Sequence, residues 1–276
     1  MAAWWFLAPA LILIFVFFFL PVLASLVLSV TDFDIYAIAN PSGTRFVGLA
    51  NYAKLMHTPE FWQALRNTFY FALVGGPLTI TVSLATALLL NARLIRFKFV
   101  TTLVAVAIVW RYLYHARYGL LNYALGHIGI GPIDWLGNPR WAMPAIILLA
   151  VWKQFGYNML IFIAGLQAIP QDLYDAAEID GAGPVRRFLN VTLPLLGPTM
   201  LFVSVITMIG YFQLFSEPYV MTSGGPLRAT TSVVLMMYEE GFRWWRMGYA
   251  AAIAFVLFIV ILIATLIQFR LQKERT

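Results

Sequence analysis

The sequence predicts an all-α integral membrane protein with six transmembrane helices, and three observations support this prediction. Of the 276 residues, 62% are apolar and only 11% are charged, whereas soluble domains are about half apolar and a quarter charged. The mean hydropathy of +0.82 is too high for a soluble domain with one membrane anchor. Six apolar stretches also reach the roughly 20 residues that a helix needs to cross a bilayer core of about 30 Å.

Length and low charge justify each predicted span. The six spans are about Leu7–Val30, Thr68–Leu90, Phe99–Tyr118, Trp141–Leu166, Gly197–Phe215 and Met247–Phe269. The third is the least regular, because Arg111 and Arg117 crowd its end. Residues 75–77 (GGP) predict a kink in the second, which membrane helices tolerate where neighbouring groups satisfy the freed backbone. We expect the six spans to form a single transmembrane domain over residues 1–276.

The first span is predicted to be retained in the mature protein. The tripeptide Val22-Leu23-Ala24 has the small-residue character of a signal-peptide cleavage site. However, no basic segment precedes the apolar run, and the run from Phe6 to Val30 is too long for the apolar core of a signal peptide.

The distribution of lysine and arginine predicts the orientation of the spans, because short cytoplasmic loops carry most of these residues. The loop 91–98 holds three basic residues, and Arg186 and Arg187 lie in the loop 167–196. We therefore expect both termini and these two loops in the cytoplasm. The absence of cysteine fits a bacterial inner membrane. The longer loops expected to face outward are 31–67, 119–140 and 216–246.

Several classes of active site are missing from the sequence. There is no GxxxxGK[ST] phosphate loop, no HExxH metal motif and no GxSxG nucleophile motif. His57, His115 and His127 lie too far apart to predict a metal site, and without cysteine there is no thiolate site or disulfide framework. The sequence therefore predicts no catalytic residue and no metal. Its net charge of +6 is typical of membrane-protein loops rather than of nucleic-acid binding.

The polar segment 172–194, between the predicted fourth and fifth spans, predicts a docking element. Pro170 suits the start of a helix, and Asp172 and Asp175 in the first turns favour the positive end of the helix dipole. Residues 181–184 (GAGP) would end this helix and allow a second short helix to follow. A loop lying on lipid would need more basic residues, so docking to a protein is favoured.

These residues resemble a known family. The segment resembles the EAA loop of permease subunits of binding-protein-dependent ABC importers. The residues that carry this resemblance are Asp175-Ala176-Ala177, Asp180-Gly181-Ala182, Phe188 and Leu193-Pro194. Segments 46–52, 118–122 and 217–226 resemble outer loops of its carbohydrate branch, the maltose, glycerol-phosphate and multiple-sugar permeases. The resemblance covers roughly residues 7–270. It implies the fold of a six-transmembrane-helix ABC importer permease with a cytoplasmic EAA coupling loop.

The resemblance implies a transport subunit, not an enzyme, in an ATP-driven importer for a sugar or oligosaccharide. Two cytoplasmic ATPase subunits would bind ATP and Mg²⁺, and this chain would hold no cofactor. A second permease subunit, expected to be a different chain, would complete the path, and an extracytoplasmic solute-binding protein would deliver the solute. The chain departs from the family pattern in two ways: Asp175 replaces the leading Glu, and the usual basic N-terminal tail is absent.

The resemblance also implies which residues couple the chain to the ATPases. The loop 167–196 would act as a coupling helix seated in a cleft of the ATPase. The coupling residues would be Asp175, Ala176, Ala177, Asp180, Gly181, Ala182 and Phe188. The small alanine pair leaves room for the close approach of a partner.

Polar and aromatic side chains in the fourth and fifth spans predict the substrate path, because polar groups are unfavourable facing lipid. They are Gln154, Tyr157, Asn158, Tyr211, Phe212 and Gln213. Amides and hydroxyls would bind sugar hydroxyls, and aromatic rings would pack on the sugar's C–H surface; the family's sugar site also uses this part of its fifth core helix. Alternatively, such polar groups only join neighbouring helices. Lys153 either extends to the interface or pairs with Glu217.

Three other functions stay open at this stage. The same importer class could carry glycerol 3-phosphate, a phosphodiester or a polyamine. A phosphorylated solute would need Arg or Lys in the path, and Lys153 is the clear candidate there, which favours a neutral sugar. An ion-driven secondary transporter would need acidic residues in the spans and inverted repeats, and the sequence has neither. A scaffold subunit would leave the polar face of the fifth span unexplained.

Overall fold

The computed structural model describes residues 2–39, 43–91 and 107–273 of the chain. Helix dominates these ranges, and their one extended pairing is an isolated antiparallel bridge between Thr31 and Phe46. The prediction of an all-α fold is therefore confirmed.

The N-terminal half of the described chain contains eight α-helices. They are α1 (Ala2–Ile14), α2 (Leu20–Ser29), α3 (Tyr36–Ala39), α4 (Ala50–His57), α5 (Pro59–Tyr70), α6 (Gly76–Asn91), α7 (Ala107–Leu113) and α8 (Leu120–His127). Two of the breaks, Phe15–Phe19 and Phe71–Gly75, are π-helical turns. The chain therefore stays helical from α1 through α2 and from α5 through α6.

The C-terminal half of the described chain contains eight more. They are α9 (Pro139–Gln167), α10 (Gln171–Ile179), α11 (Pro184–Arg187), α12 (Leu193–Leu195), α13 (Gly197–Phe212), α14 (Ser216–Met221), α15 (Val233–Tyr238) and α16 (Met247–Lys273). A π-helical turn at Phe188–Thr192 joins α11 to α12, and another at Glu239–Arg243 extends α15.

Four continuous helices in the described ranges are long and apolar enough to cross a membrane. They are Phe6–Ser29, Pro59–Asn91, Pro139–Gln167 and Met247–Leu271. A fifth span arises if Pro184–Leu195 and Gly197–Phe212, which meet at a bend of 67°, count as one. The basic part of the predicted loop 91–98 and the first part of the predicted third span lie outside the described residues. The described remainder of that span contains α7, which ends at Leu113 rather than at Tyr118.

The second span begins earlier than the sequence predicts. Its helix starts at Pro59 rather than at Thr68, because the polar residues between them do not interrupt it. The side-chain amide of Asn67 donates to the carbonyl oxygens of Arg228 and Thr231 at 2.9 and 3.0 Å. A satisfied polar group is compatible with a helix interior.

The fifth span ends earlier than predicted. α13 stops at Phe212 rather than at Phe215, because Gln213 leaves the helical region with a ψ of 24°. The backbone N–H of Leu214 turns back to the carbonyl oxygen of Tyr211 at 3.3 Å. Ser216 and the residues after it belong to the separate short helix α14.

The chain forms two compact units. The first contains the chain up to Leu65 together with Val233–Val260, and the second contains Arg66–Ser232 and the chain from Ile261. The single transmembrane domain expected over residues 1–276 stays a prediction.

The first unit is held together where α2 ends. The side-chain amide of Asn51 donates to the carbonyl oxygens of Ser29 and Thr31 at 2.9 and 2.8 Å. The backbone N–H of Gly248, at the start of α16, donates to the carbonyl oxygen of Phe33 at 2.9 Å. A Cβ at residue 248 would collide with the carbonyl oxygen of Thr31, so this approach requires glycine.

The second unit is built on α6, α9 and α13, which pack against one another. Their buried apolar cluster consists of Ala87, Met159, Phe162, Leu166, Leu196 and Val203. Glycines permit the close packing: a Cβ at Gly76 would lie 2.9 Å from the sulfur of Met208, and one at Gly165 would lie 2.6 Å from Oγ1 of Thr199. This packing places the last turn of α13 beside the middle of α9.

Candidate functional site

A polar cavity lies in the second unit where the end of α13 meets α9 and α14. Its volume is about 230 Å³. Its lining residues are Phe71, Ala150, Lys153, Gln154, Ile206, Thr207, Gly210, Tyr211, Gln213, Leu214, Phe215, Ser216 and Glu217. Amide, hydroxyl, ammonium and carboxylate groups therefore surround one small volume together with aromatic rings.

An ion pair lies in the wall of the cavity. Nζ of Lys153 is 2.8 Å from Oε1 of Glu217, and the hydroxyl of Ser216 donates to Oε2 of the same carboxylate at 2.8 Å. The Glu217 side chain is 12% exposed and the Lys153 side chain 57%. The pairing of Lys153 with Glu217, one of the two alternatives drawn from the sequence, is therefore present.

Tyr211 is held on three sides at the end of α13. Its hydroxyl shares a short hydrogen bond with the hydroxyl of Thr79 on α6. Its ring stacks on the ring of Phe71, with centroids 4.7 Å apart. A Cβ at Gly75 would lie 2.7 Å from Cε1 of Tyr211, so the glycine makes room for the ring. The stacked ring, the close glycine and the hydroxyl contact together fix the orientation of Tyr211.

Asn158 adds a second polar contact between helices beside the cavity. Its side-chain nitrogen donates to Oγ1 of Thr207 at 2.8 Å, which joins α9 to α13. Asn158 is fully buried, and its Oδ1 has no hydrogen-bond partner. Buried polar atoms are usually paired, so this oxygen is an unsatisfied hydrogen-bond acceptor beside the cavity.

The structure brings three of the six predicted path residues into the cavity wall. Gln154, Tyr211 and Gln213 all line it. Asn158 contacts it through Thr207, which is itself a lining residue.

The other two predicted path residues lie elsewhere. Tyr157 is 58% exposed and does not line the cavity. Phe212 is buried, with its ring at 5.2 Å and 86° to the ring of Phe69, because α13 turns it away from the polar volume and into the apolar core. Solute contact by any of the six residues stays a prediction.

Sequence reasoning missed the residues of α6 and its π-turn that hold Tyr211. Phe71, Gly75 and Thr79 all contact Tyr211 or make room for it. They follow one another at intervals of four, which places residues on one side of a helix. That spacing, around a glycine, was the available signal.

The segment after α9 forms the predicted pair of helices, which we call the knob (residues 171–195). α10 ends in a Schellman turn: the N–H of Gly181 donates to the carbonyl oxygen of Glu178 at 3.0 Å, and that of Ala182 to Ala177 at 2.9 Å. Gly181 has a φ of +74°, which glycine adopts without strain. The predicted break between two short helices is therefore present.

Two contacts brace the helices of the knob against each other. An ion pair joins Arg187 to Glu178 at 2.9 Å, and the hydroxyls of Tyr174 and Thr192 lie 3.0 Å apart. Apolar side chains stay uncovered beside them, with Ile179 87% exposed.

The predicted coupling residues are all on the knob. Asp175, Ala176, Asp180 and Gly181 are exposed, whereas Ala177, Ala182 and Phe188 are half-buried. The structure therefore presents part of this set on an open surface, and its role in coupling stays a prediction. In the described residues, no group of three or more His, Cys, Asp or Glu side chains is placed to hold a metal ion.

Comparison with known proteins relates the whole chain to transport proteins. The sequence model of the family described as "Binding-protein-dependent transport system inner membrane component" matches residues 2–276. The chain is 37% identical to the lactose transport system permease protein LacF of Rhizobium radiobacter, over 99% of this chain and 94% of that protein. It is 35% identical to the arabinooligosaccharides transport system permease protein AraP of Bacillus subtilis (strain 168), over 98% and 88%.

A solved transporter structure shares the fold. It is the crystal structure of a bacterial alginate ABC transporter in complex with an alginate pentasaccharide-bound periplasmic protein. The likeness covers 100% of this chain and 95% of that one, with a TM-score of 0.81 and 19% sequence identity. At this identity the likeness shows the fold alone.

Proposed function

Since this chain belongs to the family of binding-protein-dependent transport system inner membrane components, we propose that it is a transmembrane subunit of an ATP-driven importer of a sugar or oligosaccharide. The observation that carries the proposal is the polar cavity at the end of α13, where Gln154, Gln213 and Tyr211 lie together. Amides and an aromatic ring are the groups that bind a hydroxylated solute. LacF and AraP, whose names refer to lactose and arabino-oligosaccharides, support a sugar as the solute.

The knob would receive the energy of transport from partner proteins. Two ATPase subunits would bind ATP and Mg²⁺, and the exposed apolar side chains of the knob suit docking to a protein. Ile179 and Val185 are 87% and 72% exposed, which leaves their apolar surface available to a partner. Asp175, Ala176, Ala177, Asp180, Gly181, Ala182 and Phe188 would form or support the docking surface.

Consecutive helical segments connect the knob to the cavity. Residues 184–195 are helical throughout and are followed, after a 67° bend, by α13. The last turn of α13 carries Tyr211 in the cavity wall. Movement of the knob would therefore reach the cavity through one short helix and one long one, without passing through a flexible loop.

A second permease subunit, a different chain, would complete the path. The cavity holds about 230 Å³, whereas sites for small molecules usually hold about 300–1,000 Å³. This chain therefore supplies one wall of a path wide enough for a sugar. An extracytoplasmic solute-binding protein would deliver the solute at the outer loops, with both termini and the knob in the cytoplasm.

The docking role is tested with two substitutions of the same kind. Ile179→Asp places a charge on the exposed face of the knob, and Ile128→Asp places one on α8's end, where the side chain is 70% exposed. In proteoliposomes containing the whole complex, Ile179→Asp is expected to lower ATPase co-purification and ATP-driven uptake of a neutral disaccharide at least tenfold. Ile128→Asp is expected to keep the ATPases bound. Unchanged co-purification with Ile179→Asp would place the docking surface elsewhere.

A further inference from the structure

Lys153 lies in the middle of a membrane-spanning helix. It is the central residue of α9, which has 29 residues, so that about 21 Å of helix extends on either side. The other charged residues of the four continuous described spans, which lie near span ends, are Glu60, Arg66, Arg140 and Arg270. An ionisable group at the middle of a span is unfavourable without a partner and marks a functional position.

The partner of Lys153 is itself fixed. Glu217 accepts the lysine on Oε1 and the hydroxyl of Ser216 on Oε2, both at 2.8 Å. Its side chain is only 12% exposed, whereas that of Lys153 is 57% exposed and lines the cavity. The ammonium group therefore reaches the cavity while a held carboxylate neutralises it.

The cavity wall holds one positive and one negative charge, and these two cancel. Its other polar lining residues are the uncharged Gln154, Thr207, Tyr211, Gln213 and Ser216. An uncharged hydroxylated solute can exchange hydrogen bonds with these groups and leave the pair intact. An anion would have to draw Lys153 from Glu217, which would leave a carboxylate that is only 12% exposed without its cationic partner.

We propose that the Lys153–Glu217 pair makes the cavity selective for uncharged polyhydroxylated solutes, because Glu217 withholds the lysine from acidic ones. The inference rests on the proposed function, in which the solute crosses through this cavity. It predicts that Glu217→Gln turns the cavity into one that accepts anionic solutes. Lys153→Met should have the opposite effect, and the double variant should again be neutral.

The potential of the cavity can be measured without any solute. The chain contains no cysteine, so Gln213→Cys places one reporter thiol in the cavity wall. The rates of its reaction with a negatively and a positively charged methanethiosulfonate are measured on the assembled complex, and the labelled chain is identified by mass. The ratio of the two rates reports the local charge, because any change in thiol reactivity affects both reagents equally.

The expected results differ for each variant. Glu217→Gln raises the ratio of negative-to-positive reagent rates about tenfold, Lys153→Met lowers it by a similar factor, and the double variant returns it to the starting value. An unchanged ratio in both single variants overturns the proposal. If Glu217→Gln fails to insert into the membrane, Lys153→Met and the double variant still decide the matter.

Uptake measurements are the second test. They distinguish a failure of this inference from a failure of the proposed function. A neutral disaccharide and its uronic acid counterpart are compared in proteoliposomes with the whole complex. Glu217→Gln is expected to raise uptake of the acid relative to the neutral sugar at least fivefold, and an unchanged preference contradicts the charge selectivity. Absence of uptake of any sugar by the unmodified complex counts against the proposed function instead, while the labelling ratios still test the pair.

Discussion

The hydroxyl groups of Tyr211 and Thr79 share a hydrogen bond that joins the last turn of α13 to α6. Both residues are buried, and Tyr211 also lines the cavity. The contact therefore links the packing of two spans directly to the shape of the candidate site.

Thr79→Val tests this link. Valine keeps the shape of threonine but leaves the hydroxyl of Tyr211 without its partner, which should destabilise the chain by about 1–3 kcal/mol. Thr81→Val is the matched control, because Thr81 is exposed and its hydroxyl bonds only to the carbonyl oxygen of Pro77 in its own helix. Thermal unfolding of the purified complex should show a lower midpoint for Thr79→Val than for the control, and equal midpoints would deny the bond any structural role.

Gly75→Ala should displace Tyr211. The added Cβ would lie 2.7 Å from the tyrosine ring, and the ring cannot move easily because Thr79 and Phe71 hold it. We expect overpacking to destabilise the chain by about 1–3 kcal/mol and uptake to fall. Gly156→Ala, in the helix α9 with no atom within 4 Å of the new Cβ, should be neutral or slightly stabilising. The idea fails if the two variants unfold at the same temperature.

Substitutions of Asn158 and Thr207 should have non-additive effects on the stability of the chain. Thr207→Val removes the one partner of the buried amide and should destabilise by about 1–3 kcal/mol, whereas Asn158→Leu combined with Thr207→Val removes both polar groups and should be less harmful than Thr207→Val alone. Comparing the unfolding midpoints of the single and double variants measures this difference. A double variant less stable than Thr207→Val would contradict the assignment of Oδ1 as an unsatisfied acceptor.

Gly181→Val should uncouple the knob. The residue has a φ of +74°, a region that a β-branched side chain adopts only with strain, so the turn after α10 should rearrange. Gly183→Ala is the matched control, because Gly183 has an ordinary φ of −67° and open space around it. ATP hydrolysis stimulated by the loaded solute-binding protein should fall at least tenfold in Gly181→Val and persist in the control. Equal stimulation in both would show that the shape of this turn does not matter for coupling.

The sequence predicted local features of the chain more reliably than its contacts between helices. Apolar run length located the helices, and the glycine at 181 located the turn of the knob, because both depend on neighbouring residues alone. The resemblance to ABC importer permeases, drawn chiefly from the same segment, is confirmed by the family match over residues 2–276.

The ends of the helices and the residues that line the cavity were harder to predict from the sequence, because they depend on residues distant in the chain. The second span was predicted to begin at Thr68, yet its helix continues through Asn67, whose amide donates to carbonyl oxygens more than 160 residues away. Phe212 looked like part of an aromatic sugar platform, yet its ring packs on Phe69. Only the rotation of α13 against its neighbours decides which of Tyr211 and Phe212 reaches the polar volume.

The stiffness of α13 sets the scale of motion between its two ends. Its 16 residues form a rod about 24 Å long. A tilt of about 5° at the bend would therefore carry the far end through roughly 2 Å, more than enough to break a hydrogen bond. Through a lever of this length, a slight rocking of the knob would move Tyr211, in the last turn of α13, relative to Thr79 and Phe71.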